Sequence, residues 1–135
     1  MEKRVAGFLA RWGPTLARWG PALVMMAVIF VASATPGEDL PNAGPFDVLL
    51  KKGGHFLGYA LLGAAYLRGL AWRRGLAIRD LGTAILMALL YAASDEFHQR
   101  FTPGRTPAVS DVVLDTVGST VGAAVWVRRR RKRPD

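Results

Sequence analysis

Apolar residues in this chain arrive in long blocks rather than in the strict alternation of a half-buried strand, and polar or basic clusters close each block. Four blocks approach the roughly 20 residues that a helix needs to cross a hydrocarbon core. They fall at 15–34, 54–72, 78–97 and 109–127. The first is almost wholly apolar. The other three carry ionisable residues, each costing about 2.5–3.5 kcal/mol at the centre of a span, but they gather these residues toward one end. The pattern predicts one all-α domain over the whole chain: a polytopic membrane protein built as a four-transmembrane-helix bundle.

Basic residues predict its orientation. Lys3, Arg4, Arg11 and Arg18 belong to the first block's entry, and Arg68, Arg73, Arg74 and Arg79 surround the link between the second and third. Arg128–Arg131, Lys132 and Arg133 follow the fourth. These groups share one side, leaving Lys51, Lys52, Arg100 and Arg105 on the other. An excess of Lys and Arg marks the cytoplasmic side, so both termini are expected in the cytoplasm of a multi-pass bacterial protein. The net charge of +8 is then topological. A basic run after an apolar span reads as an anchor or an anionic-lipid contact, and no nucleic-acid partner is expected.

The first block supports two readings. ARWGPTL at 10–16 repeats as ARWGPAL at 17–23. Its Arg and Trp residues suit the headgroup zone, and Pro14 and Pro21 suit helix entry points. A basic start, an apolar centre and Ala32-Ser33-Ala34 are also the ingredients of a cleaved signal segment. The Pro- and Gly-rich stretch 35–47 reads as a loop rather than a site.

The chain has no cysteine, so thiolate chemistry is excluded and any reaction must use oxygen and nitrogen groups. With the predicted topology, those groups converge on the outer face. His55 and Tyr59 lie at i, i+4 on the second helix, and Asp111 and Asp115 repeat that spacing on the fourth. Gly118 and Gly122 continue the Asp stripe as close-packing positions. Glu96 and Gln99 end the third helix, and the Pro103-Gly104 turn can fold Arg105 back over them. His55, Glu96, His98 and Asp111 or Asp115 are also of the types that bind zinc, manganese or magnesium, although their spacing matches no established metal motif.

Three motifs carry a resemblance. K-K-x-x-H-F-x-x-Y at 51–59, S-D-E-x-H-Q-x-F-x-P-G-R at 94–105 and D-x-x-x-D-x-x-G-x-x-x-G at 111–122 resemble the motif blocks of the VanZ-like family of small bacterial membrane proteins. Lys51 and Asp115 stand where some members have Asp and Asn. The resemblance implies a setting in the cell envelope and a relation to teicoplanin resistance proteins, without implying a reaction.

The residues themselves leave three readings open. In the first, the protein acts on a lipid-linked or phosphorylated envelope molecule: Lys52 and Arg105 hold its anionic head group, with Tyr59, Gln99 and Asp115 as further contacts. His55, Glu96 and Asp111 then supply nucleophile, acid and base. In the second, the same pocket binds an envelope precursor or lipid head group without catalysis. In the third, Arg105 bridges Glu96 and Asp111 in a structural network, since intramembrane charges can offset their cost by pairing.

Overall fold

The computed structural model describes residues 2–39 and 44–132. Four helices follow the apolar blocks and mostly overrun them, α2 alone stopping two residues short of its expected end: α1 at Glu2–Ala34, α2 at Asp47–Leu70, α3 at Ile78–Gln99 and α4 at Val109–Arg131. There is no strand among the described residues. Short 3-10 turns at Gly37–Asp39 and Gly44–Phe46 occupy part of the segment expected to be loop. Residues 40–43 and 133–135 lie outside the described residues, as do the side chains of Lys3 and Arg4.

The start of α1 corrects the expectation at Pro14 and Pro21, which lie inside the helix rather than at its entry. Proline keeps a helical φ but has no N–H, so Pro21 leaves the carbonyl of Ala17 without its usual donor. Arg68 of α2 supplies one, donating through Nη1 to Ala17 O at 3.0 Å and to Arg18 O at 3.2 Å. Arg18 returns the link by donating to Gly69 O at 2.7 Å. The Trp19 ring lies against Gly69, where any Cβ would come within 2.7 Å of it. Arg68→Ala is therefore expected to lower the unfolding midpoint by the equivalent of about 1–2 kcal/mol. In a Pro21→Ala background, where the helical N–H returns, the loss should shrink. Equal losses in both backgrounds would show that the Ala17 carbonyl is not what Arg68 serves.

Helix direction follows from which residues meet. Ile29 lies over Gly58 and Trp19 over Gly69, so α1 and α2 are antiparallel. Tyr91 donates to Met26 O at 2.6 Å and Ser33 to Asp95 at 2.7 Å, so α1 and α3 run together. The most extensive interface joins α2 and α4, which are parallel. Phe56 O faces Gly118, and Ala60 O faces Gly122. Small residues line the interior, with Ala84, Ala88 and Ala92 on one stripe of α3 and Ala123 on α4, so backbones approach closely. Large apolar residues instead face outward, among them Val28, Leu57, Leu61, Leu86, Leu90, Val117 and Val121. Tyr59, Leu62, Tyr66 and Leu67 of α2 fill the rest of the interior, and apolar surface this extensive on the outside marks a face made to meet another apolar surface.

Arginines collect at the end where α2 meets α3. Arg130 donates to the carbonyls of Ala71 and Arg74, and Arg74 pairs with Asp80 at 2.7 Å. Asp80 also accepts from Ala77 N at 2.8 Å, capping the start of α3. The ionisable residues singled out as candidate chemistry lie at the opposite end.

Candidate functional site

At that opposite end, α2 and α4 begin while α1 and α3 finish. The first turns of α2 and α4 run side by side, so their i, i+4 stripes meet. Lys52 pairs with Asp111, and one turn deeper His55 Nδ1 lies 3.6 Å from Asp115 Oδ2. Asp115 is almost fully buried, whereas His55 keeps a fifth of its side chain exposed. Among the described residues, neither Asp115 carboxylate oxygen has a hydrogen-bond partner, so His55 is the group nearest to hand that could pair with this acid once protonated.

A cavity of about 280 Å³ opens over this pair. Lys51, Lys52, Glu96, Gln99 and Arg105 line it alongside His55, Asp111 and Asp115. Seven of the eight site residues expected from sequence are therefore brought together. Tyr59 is the exception: fully buried beneath His55, with ring centroids 6.4 Å apart, it does not reach the wall.

Arg105 does not make the bridge between Glu96 and Asp111 that the structural reading assigns to it. Its Nε donates to Thr35 O at 3.2 Å and its Nη2 to Ala32 O at 2.5 Å. The last carbonyls of a helix lack intrahelical donors and carry the negative end of its dipole, which explains why the guanidinium settles where α1 finishes. Among the described residues no carboxylate forms an ion pair with Arg105, and its charge remains at the cavity wall. Gly104, at φ 69°, makes the turn that allows this, and it packs on Gly37.

Glu96 has both oxygens engaged. Oε1 accepts from Gln99 Nε2 at 3.2 Å, and Oε2 accepts from Ala108 N at 2.8 Å, tying the end of α3 to the start of α4. Gln99 also donates to Asp95, which accepts from Ser33 of α1. These links make one buried chain across three helices, a role for Ser33 and Asp95 that their sequence neighbourhoods did not reveal.

His98 leaves the metal-ligand set proposed for it. Two residues beyond Glu96, it is turned about 200° around α3, and it packs on Phe30 with ring centroids 4.8 Å apart. Among the described residues no group of three or more His, Asp or Glu converges in a metal-binding arrangement. Lys51, Gly37 and Thr106 also line the cavity, although in the sequence Lys51 reads as a topological charge and Gly37 as part of a loop. The signal for Lys51 was its i, i+4 spacing from His55.

The VanZ/LLP1 family model matches residues 19–130, spanning every wall of this cavity. The chain belongs to the VanZ/LLP1 family. VanZ/LLP1 proteins are membrane proteins, and the family is linked to teicoplanin resistance. No curated protein and no solved structure matches the chain. Among the described residues of this VanZ/LLP1 protein, one segment, 10–34 in α1, is long and apolar enough to span a membrane by composition.

Proposed function

We propose that this VanZ/LLP1 protein crosses the cell membrane four times, with both termini cytoplasmic. Its cavity then opens at the outer leaflet and takes an anionic, phosphorylated or lipid-linked envelope molecule. Helices α2, α3 and α4 have 24, 22 and 23 residues, and at 1.5 Å per residue each exceeds the roughly 30 Å hydrocarbon core. Their outward apolar residues suit lipid, and the arginine-rich end suits the cytoplasmic side.

One observation carries the functional reading: His55 faces the cavity with Asp115 behind it, on the same wall as Lys51 and near Arg105. A buried carboxylate beside an imidazole orients it and stabilises its charged form, which suits His55 to accept and return a proton. Arg105, held by backbone carbonyls rather than by an acid, keeps its charge for a phosphate or carboxylate. Lys52 and Asp111 neutralise one another at the mouth, so Lys52 is a gatepost rather than the principal anion holder. Glu96 holds the α3–α4 turn in shape.

A binding role without turnover uses the same groups except the proton transfer. The chain of bonds from Ser33 through Asp95 and Gln99 to Glu96 favours a structural role for those four residues, separate from the His55–Asp115 pair.

The test is co-purification of phosphorylated lipids from bacterial membranes, read by mass spectrometry. Wild type should retain a phosphorylated species, and Arg105→Gln should lose about nine-tenths of it while remaining folded. His55→Gln should retain the species but stop its conversion. Retention by Arg105→Gln would overturn the anion-binding reading, and unchanged conversion by His55→Gln would remove the proton-transfer role. Topology is checked with cysteine labelling, which the cysteine-free chain makes clean. An impermeant maleimide added to intact cells should label Glu38→Cys and spare Gly75→Cys.

A further inference from the structure

A second cavity, of about 260 Å³, lies between α1 and α2 and shares Lys51, His55 and Arg105 with the first. Its remaining walls are apolar. Val28 and Ala32 come from α1, and Leu50, Gly54 and Gly58 from α2. Val28 is 54% exposed and Leu50 62% exposed, so the groove opens sideways onto the apolar outer surface of the bundle rather than toward the cavity mouth.

Packing does not account for glycine at position 54. A Cβ there meets nothing within 4 Å, and glycine within a helix is less favourable than alanine. The stripe Lys51, Gly54, Gly58 therefore runs along one side of α2 from a cation through open space at Gly54 to the point where Ile29 packs on Gly58. The cation end is where the two cavities join. The other depression touching the polar cavity, between α3 and α4, shares only Glu96, whose two oxygens are already bonded.

We infer that the ligand is a membrane amphiphile bearing a phosphate head on a single hydrocarbon chain, with the chain lying in the α1–α2 groove and the head between Arg105, Lys51 and His55. The inference rests on the anion-binding reading above and adds the route of entry. Charge complementarity selects the head: three groups able to carry positive charge line the junction, and although Lys51 pairs with Asp47 at 2.7 Å and His55 lies beside Asp115, Arg105 has no carboxylate partner among the described residues. Asp115, buried behind His55, disfavours a second negative group deeper in the cavity, so the phosphate sits at the junction and not on the cavity floor. The apolar walls select the chain, because a hydrocarbon tail brings no polar group that would be left unpaired there. An amphiphile reaches this site laterally from the bilayer.

The experiment measures binding to the full-length protein in a maltoside detergent by native mass spectrometry. The probes are dodecyl phosphate, dodecyltrimethylammonium and methyl phosphate. Wild type should bind dodecyl phosphate about tenfold or more tightly than either other probe. Gly54→Phe and, from the opposite wall, Ala32→Phe each fill the groove, and each should weaken dodecyl phosphate about tenfold while leaving methyl phosphate unchanged. Arg105→Gln should weaken both phosphates. If neither groove variant weakens dodecyl phosphate while Arg105→Gln does, the chain lies elsewhere and the inference fails, but the anion-binding reading stands. If Arg105→Gln changes neither phosphate, both readings fail. Two variants from separate helices keep the test open should one of them not fold.

Discussion

Gly122→Leu is expected to yield no folded protein, and even Gly122→Ala to lose about 3 kcal/mol or more. A Cβ at this position lands on the carbonyl of Ala60, and backbone cannot rotate aside as a side chain can. The seam would have to part along its length, because a Cβ on Gly118 would come within 2.6 Å of Phe56 O one turn earlier and Gly63 faces Ser119 beside it. Parting it would also draw His55 away from Asp115. Gly82 is the control: a Cβ there meets nothing within 4 Å, so Gly82→Ala should be neutral or stabilising by up to about 1 kcal/mol. Thermal midpoints in detergent, with size exclusion to score folding, separate the two. A Gly122→Ala midpoint equal to that of wild type would mean that α2 and α4 are not this close.

Asp95→Leu should cost about 3 kcal/mol, more than any other single change in the polar chain. Asp95 is buried and accepts from Ser33 Oγ at 2.7 Å and from Gln99 Nε2 at 3.2 Å. A leucine of similar size leaves the Ser33 hydroxyl buried without its acceptor and takes one acceptor from Gln99 Nε2, which keeps Glu96 Oε1, and the expense is theirs rather than that of the lost acid. Asp95→Asn keeps one acceptor oxygen and should cost about 1 kcal/mol. The order of the two variants is the informative result. Were Asp95→Leu the more stable, the cost of keeping the carboxylate out of water would exceed what its bonds return, and its retention would need a reason other than stability.

Helix number and position were legible because apolar blocks register directly as helices. The convergence of His55, Asp111, Asp115, Glu96, Gln99 and Arg105 was legible because helical spacing and chain reversal alone bring those residues to one end. Distant partners were not. Ser33 looked like part of a small-residue motif, and nothing nearby in sequence points to an acid 62 residues away. Pro21 looked like a helix start because the donor that makes an internal proline tolerable, Arg68, sits on another helix. The carbonyls that hold Arg105 were not legible, because they belong to the end of α1, some 70 residues away in the chain. Helix starts at Glu2 and Asp47 were missed because polar first turns carry no apolar signal.

The parallel seam between α2 and α4 has a consequence for how the protein is made. Its two sides are far apart in the chain, with Lys52 and Asp111 separated by 59 residues. Contacts of that separation form late, after the intervening chain has been ordered. As the chain leaves the ribosome, α2 therefore waits through the whole of α3 with its close-packing face and His55 uncovered. A transcript truncated before α4 would produce three helices and no site, and a quality-control protease would find its opening during that interval.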